Sequence, residues 1–250
     1  MEQQTFFCAG STPAAKYASE ILRQNGWIMH CTPAEDTQSV LLDVPSMTAD
    51  GKLRGGASIQ ELLSLIPQDA IIMGGALNHP VIAGRTTFDL LKDESYLMEN
   101  AKITAYCTLP IIFSSIPATV ENIPILIIGW GRIGRVLAQL LHLLKADVTA
   151  ASRKQENAAE IQASGLKYAD TFHIPANEYR VIINTAPAPV KIPSPSGNAF
   201  PPVKIDLASV NGLSGSDVIR ARGLPGIHAP ESSGKLIANT ILTHMKERPV

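Results

Sequence analysis

Charged residues and cysteines are scarce in this chain of 250 residues. Lys, Arg, Asp and Glu together make up 17% of it and the formal net charge is -1, so the overall charge does not attract nucleic acid or anionic lipid. The three cysteines are widely spaced and form no CxxC pair, which argues against a disulfide framework and against a zinc site. Because hydrophobic residues reach 45%, the chain has enough apolar material for a buried core, and we expect it to fold rather than to be disordered.

Long apolar runs are also absent. No run approaches the roughly 20 residues that a membrane-spanning helix needs. Residues 1–4 lack the basic and apolar regions of a secretory signal. We therefore expect a cytoplasmic protein with reduced thiols, no membrane partner and no bound metal.

Short apolar runs of strand length alternate with helical segments through both halves of the chain. This alternation is typical of an α/β fold whose strands pair in parallel through right-handed crossovers. The predicted strands are residues 5–9, 40–42, 70–73, 125–128, 148–151, 181–183 and 203–206. The predicted helices are residues 14–25, 59–65, 135–144 and 235–246, and residues 88–113 form a mostly helical connector between two lobes.

A GxGxxG motif lies between an apolar strand and an apolar helix in the second half. It comprises Gly129, Gly131 and Gly134, with Arg132 and Ile133 between the last two. In this context the first glycine permits a tight turn, the second lets the backbone approach a pyrophosphate, and the third allows close helix–strand packing. The amide groups and positive dipole end of the helix favour phosphate. We predict that these residues bind a dinucleotide; the alternative is a glycine-rich turn without a ligand.

The end of the next strand is the usual place of the residue that contacts the adenosine ribose. An acidic residue there favours NAD, but this chain has Ser152, Arg153 and Lys154. These side chains donate hydrogen bonds to a 2′-phosphate, and arginine does so in a bidentate manner. We therefore expect NADP(H) rather than NAD(H), although the two basic residues are also typical of a solvated helix start.

Two further strands end in polar residues. The loop of Thr185, Ala186 and Pro187 follows Asn184, and Asp206 ends the next strand. In a doubly wound sheet the loops beyond the carboxyl ends of the strands line the cofactor crevice. We expect the loop at 185–187 and the segment after Asp206 to lie near the nicotinamide half of the cofactor, unless Asn184 and Asp206 only cap turns.

Several segments, in order along most of the chain, resemble the A-subunit family of bacterial dipicolinate synthase. The matching segments are residues 41–51, 73–75, 89–91, 100–109, 128–132, 183–187, 205–209 and 224–234. The resemblance implies an α/β fold of two lobes, an N-terminal flavodoxin-like parallel sheet and a Rossmann domain, joined by a long helix. It places a substrate or partner domain at residues 1–97, the connecting helix and linker at 98–122, the Rossmann domain at 123–228, and a C-terminal helix packing back toward the first lobe at 229–250.

The resemblance also implies a reaction and its partners. The reaction is the NADP-linked oxidation of dihydrodipicolinate to dipicolinate in the cytoplasm of a spore-forming cell; NADP(H) is favoured and NAD(H) is possible. The implied partners are the small dicarboxylate substrate and a separate flavoprotein-like B subunit, in an assembly of identical or different chains. Nucleic acid is not an expected partner.

Three residues are candidates for the chemistry on the substrate. His228 lies in a turn, where a histidine near neutral pKa accepts a proton or donates to a carboxylate, unless it is only an exposed loop residue. Asn100 and Thr104 are four residues apart and share one face of the connector helix. They either face the substrate or satisfy a buried helix junction.

The chain departs from the family at three positions. Tyr106 replaces a carboxylate, and Ile227 and Glu231 replace residues that tend to be basic. The segment between Gly75 and Thr86 is also shorter than in the family. Together these departures support an alternative, a dinucleotide-binding sensor or partner protein that has lost catalysis. A 2-hydroxyacid-type dehydrogenase is a second alternative, although no catalytic arginine lies near the loop at 185–187.

Overall fold

The structure is a computed structural model that describes residues 4–48, 51–174, 179–192 and 201–247. The chain divides into two compact units. The first contains the described residues up to Asn100 together with those from Pro225 onward, and the second contains Ala101–Leu224. The helices are α1 (Pro13–Gln24), α2 (Ile59–Ser64), α3 (Glu94–Ser115), α4 (Arg132–Leu143), α5 (Asn157–Ala163), α6 (Leu224–His228) and α7 (Pro230–Glu247). No helix among the described residues is long and apolar enough to span a membrane.

The first unit contains a parallel sheet of five strands. The strands are β1 (Thr5–Cys8), β2 (Ile28–His30), β3 (Ser39–Leu41), β4 (Ile71–Gly74) and β5 (Thr87–Asp89). Their spatial order is β2-β1-β3-β4-β5, and every pair is parallel. This is the flavodoxin-like order, so the predicted fold class of the first lobe is confirmed.

Helix α7 packs on α1 within the first unit. Ile237, Ala238 and Ile241 share one buried cluster with Ala18 and Leu22 of α1. A side chain at Gly234 would collide with Tyr17 and with the backbone of α1. The close approach of the two helices therefore depends on that glycine, and it joins the C-terminal segment to the core of the first unit.

The second unit contains a parallel sheet of six strands. The strands are β6 (Pro124–Ile128), β7 (Asp147–Ser152), β8 (Lys167–Asp170), β9 (Val181–Asn184), β10 (Val203–Asp206) and β11 (Val218–Arg220). Their spatial order is β11-β10-β9-β6-β7-β8, with every pair parallel. This is the order of a Rossmann sheet, which confirms the fold class. Successive strands are added on one side of β6 up to β8 and then, from β9 onward, on its other side, so the strand order reverses between β6 and β9. Ligands bind at such a reversal, just beyond the carboxyl ends of the strands.

The boundaries differ from the sequence-based expectation at several elements. The predicted connector was wrong at its start, because Phe88 and Asp89 belong to strand β5. Helix α3 begins at Glu94, where the Asp93 carboxylate accepts a hydrogen bond from the Tyr96 amide at 2.7 Å. Helices α4 and α7 begin earlier than predicted, at residues 132 and 230, and α5 and α6 were not predicted.

Candidate dinucleotide-binding site

The GxGxxG motif forms the turn between β6 and α4. Gly129 has a φ of +105°, a backbone conformation that residues other than glycine rarely adopt. Its amide donates to the Ala151 carbonyl at 2.9 Å, which ties the turn to β7. A side chain at Gly134 would collide with the Gly129 carbonyl oxygen, so this glycine lets α4 pack closely on the turn. The fold itself therefore requires these two glycines.

Gly131 differs because no packing contact among the described residues requires a glycine there. Its φ of -91° and ψ of -167° are accessible to any residue. A Cβ atom built there would have no atom of the described residues within 4 Å, its two chain neighbours aside. Gly131 faces a pocket, and as the N-cap of α4 it has no side chain that could accept from the first amides of the helix. An open approach beside a helix N-terminus fits a pyrophosphate group.

The pocket has a volume of about 630 Å³ and lies at the carboxyl ends of β6, β7, β8 and β9. Eight of the eleven residues predicted to bind the cofactor line it: Gly129, Gly131, Ser152, Arg153, Lys154, Thr185, Ala186 and Pro187. The other three, Arg132, Ile133 and Gly134, form the first turn of α4 behind Gly131. The structure thus brings three separate sequence segments to one crevice.

Trp130 adds an aromatic side chain to this pocket. It is buried, and the Arg135 guanidinium lies 5.7 Å from the centre of its ring. Arg135 also donates to the Trp130 carbonyl at 3.2 Å and pairs with Glu160 at 2.8 Å. These contacts fix the peptide that precedes Gly131.

The residues at the end of β7 carry hydrogen-bond donors. The buried Ser152 hydroxyl accepts from the Lys154 amide at 3.1 Å and from Asn157 Nδ2 at 2.7 Å, which leaves its proton for a third partner. Lys154 pairs with Glu156 at 3.4 Å on the surface. Arg153 is exposed at the pocket and forms no ion pair with any residue that the structure describes. This end of the pocket is therefore suited to an anion.

The loop at 185–187 is fastened to the glycine turn. The Thr185 hydroxyl lies 3.0 Å from the Ile128 carbonyl oxygen and 3.2 Å from that of Gly129, and its single proton is shared between these two acceptors. The Asn184 side chain donates to the Ala186 carbonyl and accepts from the Ala186 amide. The ends of β6 and β9 are therefore held as one unit across the reversal in strand order.

Asp206 holds the Asn184 side chain that supports the loop at 185–187. Its fully buried carboxylate accepts from Asn184 Nδ2 at 2.8 Å and from the Arg220 guanidinium at 2.5 Å. It also accepts from the amides of Ala208, Gly212 and Leu213, at 3.2, 2.9 and 3.1 Å. Burial raises the pKa of Asp206, but the bonds from Asn184 and the three amides outweigh it, and the net pKa is lowered. Asp206 and Asn184 therefore support the loop, and neither is among the described residues that line the pocket.

None of the three catalytic candidates is among the described residues that line this pocket. His228 is exposed at the end of α6. Thr104 is buried on α3 and its carbonyl accepts from Thr108, and Asn100 is half-buried one turn earlier. Their roles stay predictions.

The three departures from the family are solvent-accessible. Tyr106 is 52% exposed and Ile227 is 66% exposed, so neither belongs to the buried core of the described residues. Glu231 is exposed in the first turn of α7. The structure gives no reason in packing for these residue types.

Sequence reasoning missed several residues of the pocket, notably Asn157, Thr171 and Phe172. Thr171 and Phe172 follow β8, a strand that was not predicted. With β8 recognised, the rule that loops beyond strand ends line the crevice would have indicated Thr171 and Phe172 as pocket residues. Asn157 starts a helix that also was not predicted.

Comparison with known proteins identifies relatives along nearly the whole chain. The chain is 26% identical over 235 residues to the dipicolinate synthase A subunit of Bacillus subtilis (strain 168), covering 84% of this chain and 78% of that protein. The crystal structure of the dipicolinate synthase A subunit from Bacillus halodurans superposes with a TM-score of 0.83 at 20% identity, covering 99% of this chain and 98% of the other. The resemblance to the A-subunit family of dipicolinate synthase is confirmed. No family model matches the chain.

The fold of the dipicolinate synthase A subunits is shared with other proteins. A transhydrogenase from Sinorhizobium meliloti matches with a TM-score of 0.66 at 13% identity, covering 97% of this chain and 93% of that chain. At this identity the match concerns the fold alone. The chain thus shares the fold of these proteins, and its glycine turn is of the kind that binds dinucleotides.

Proposed function

We propose that this chain is an NADP-dependent dehydrogenase that oxidises dihydrodipicolinate to dipicolinate. The observation that carries the proposal is Gly131, which is open to the pocket beside the N-terminus of α4. The position of Arg153 at the same pocket supports NADP over NAD. The substrate class rests on the similarity to a protein named as the A subunit of dipicolinate synthase.

The chain's residues would divide the work of binding. The turn at 129–134 would hold the pyrophosphate, Ser152 and Arg153 the 2′-phosphate, and the loop at 185–187 the nicotinamide half. When bound, NADP⁺ would supply the acceptor for a hydride, that is, one proton together with its electron pair, from the substrate. The second hydrogen leaves as a proton, for which His228 is the proposed acceptor. The protein's own contribution is orientation, which is worth on the order of 7 to 11 kcal/mol in well-aligned reactions.

Replacing Arg153 with alanine tests the preference for NADP. We expect the Kd of NADPH to rise about 10- to 100-fold, because one charge-assisted contact to the 2′-phosphate is lost. The Kd of NADH should change about 2-fold at most, since NADH lacks that phosphate. Fluorescence titration with each dinucleotide measures both values, and Arg222→Ala, a surface arginine paired with Asn211 in the same unit, is the control. An equal loss of affinity for both dinucleotides would contradict the assignment.

The reaction itself is tested by following NADP⁺ reduction at 340 nm with dihydrodipicolinate present. The assay is run with and without a flavoprotein-like B subunit, the proposed partner. Turnover in either condition supports the proposal. Tight NADPH binding without turnover in both would favour the sensor, the alternative that the residues at 106, 227 and 231 support.

A further inference from the structure

Phe172 is an aromatic side chain that the fold leaves in solvent. It is 75% exposed, more than any other Phe, Tyr or Trp that the structure describes. Large apolar side chains normally contribute to stability by burial, and Phe172 contributes little in this way. Its ring is available to a ligand, and it lines the same pocket as the glycine turn.

The backbone at Phe172 is nevertheless held firmly. Its amide donates to Asp170 Oδ1 at 3.0 Å. The other carboxylate oxygen of Asp170 lies 3.2 Å from His173 Nδ1, and the His173 amide donates to the Asp170 carbonyl at 3.0 Å. The bond from the Phe172 amide, followed by that from His173, lowers the pKa of Asp170, so the carboxylate stays charged near neutral pH. The turn therefore holds Phe172 in place without burying it.

The strand register brings Phe172 to the end of the pocket that carries the anion donors. Strands β7 and β8 are parallel neighbours, and Ser152 is paired with Asp170. Arg153 follows Ser152 by one residue and Phe172 follows Asp170 by two. Both residues therefore lie just beyond the carboxyl ends of these two strands. Both line the one pocket. In that pocket, an aromatic ring is suited to contact the base whose ribose carries the 2′-phosphate.

We propose that Phe172 provides the aromatic face on which the adenine of the dinucleotide stacks. The proposal rests on the proposed binding of NADP(H) and adds the residue that holds the base. A purine stacks on an aromatic ring whatever its substituents, and such a contact is lost when the ring is truncated to alanine. The contact concerns only the adenosine half, so the nicotinamide half should be insensitive to it.

Calorimetric titration of Phe172→Ala with adenosine 2′,5′-bisphosphate tests the proposal. We expect about a 5- to 100-fold rise in Kd relative to the unaltered chain. Phe172→Tyr, which keeps the ring, should bind within about 2-fold of the unaltered chain. Leu143→Ala is the matched control, since Leu143 is 77% exposed and lies outside the described lining of the pocket. Circular dichroism and thermal unfolding verify that each variant is folded.

The outcomes separate this inference from the proposed function. If the unaltered chain binds NADPH and the bisphosphate, and Phe172→Ala binds both equally well, the stacking role is wrong and the cofactor assignment stands. If the unaltered chain binds neither, the proposed function fails first. If Phe172→Ala weakens the binding of nicotinamide mononucleotide as much as that of the bisphosphate, the ring does not act on the adenine and the inference is overturned.

Discussion

Gly131→Asp should weaken NADPH binding by about 100-fold or more while leaving the protein folded. Asp is a favourable N-cap and its negative charge complements the helix dipole, so α4 should be as stable as before or more stable. The same carboxylate enters the open space in front of residue 131 and repels a pyrophosphate there. Folding and binding are therefore expected to change in opposite directions. Thermal unfolding and NADPH fluorescence titration measure the two effects.

A matched control is Ser58→Asp, which places the same residue at the N-cap of α2 in the other unit. It should leave the Kd of NADPH unchanged. Gly131→Ser caps the helix without the charge and is expected to weaken binding less than Gly131→Asp. If Gly131→Asp binds NADPH as well as the unaltered chain, the pyrophosphate does not lie at this turn.

Asp206→Ala should lower the free energy of unfolding by about 3 kcal/mol, because it removes a buried carboxylate that accepts from Arg220, Asn184 and three amides. Asn184 Nδ2, which holds the loop at 185–187 through the Ala186 carbonyl, would lose one of its two acceptors. NADPH affinity should therefore fall as well. Urea unfolding followed by circular dichroism gives the stability. The control is Glu121→Ala, which breaks a surface pair with Lys145 and should cost about 1 kcal/mol at most.

The contribution of Asp206 should also depend on pH. Its pKa is lower in the folded protein than in the unfolded chain, so the unfolded state binds more protons as the solution is acidified. Stabilisation is then present above the unfolded pKa of about 3.9 and is lost as the pH falls through the folded value. The difference in unfolding free energy between the unaltered chain and Asp206→Asn should shrink over that range. A difference that stays constant with pH would contradict the charged network.

The predicted strands were the inner strands of both sheets, and the missed ones were the edges. The inner strands β6 and β9 are continuous apolar runs because they are covered on both faces. The edge strands β2, β5, β8 and β11 are short and carry exposed positions, which removes the apolar run that would reveal them. The fold class could be predicted although these edge strands were missed, because the strand order depends on the buried strands.

The site shows the same division. Gly129 and Thr185 follow inner strands and Ser152 ends one, and the rule about strand ends predicted from the sequence that they line one crevice. Phe172 follows the edge strand β8, which was not predicted, so the sequence did not indicate Phe172 as a site residue. The network of Asp206 was also out of reach, because Gly212 and Arg220 come to it from a loop and an edge strand whose positions no local pattern encodes. A catalytic role for His228, Thr104 or Asn100 depends on distances to a substrate, which the sequence does not contain.

The most direct test of the central claim, that the turn at 129–134 binds a nicotinamide dinucleotide, is a titration of the purified protein with NADPH. Binding should be saturable with one site per chain. It should quench the emission of Trp130, which lines the pocket, and Trp27→Phe removes the emission of the only other tryptophan. NADPH should bind more tightly than NADH. Absence of heat and of quenching with both dinucleotides, in a chain shown to be folded, would contradict the account.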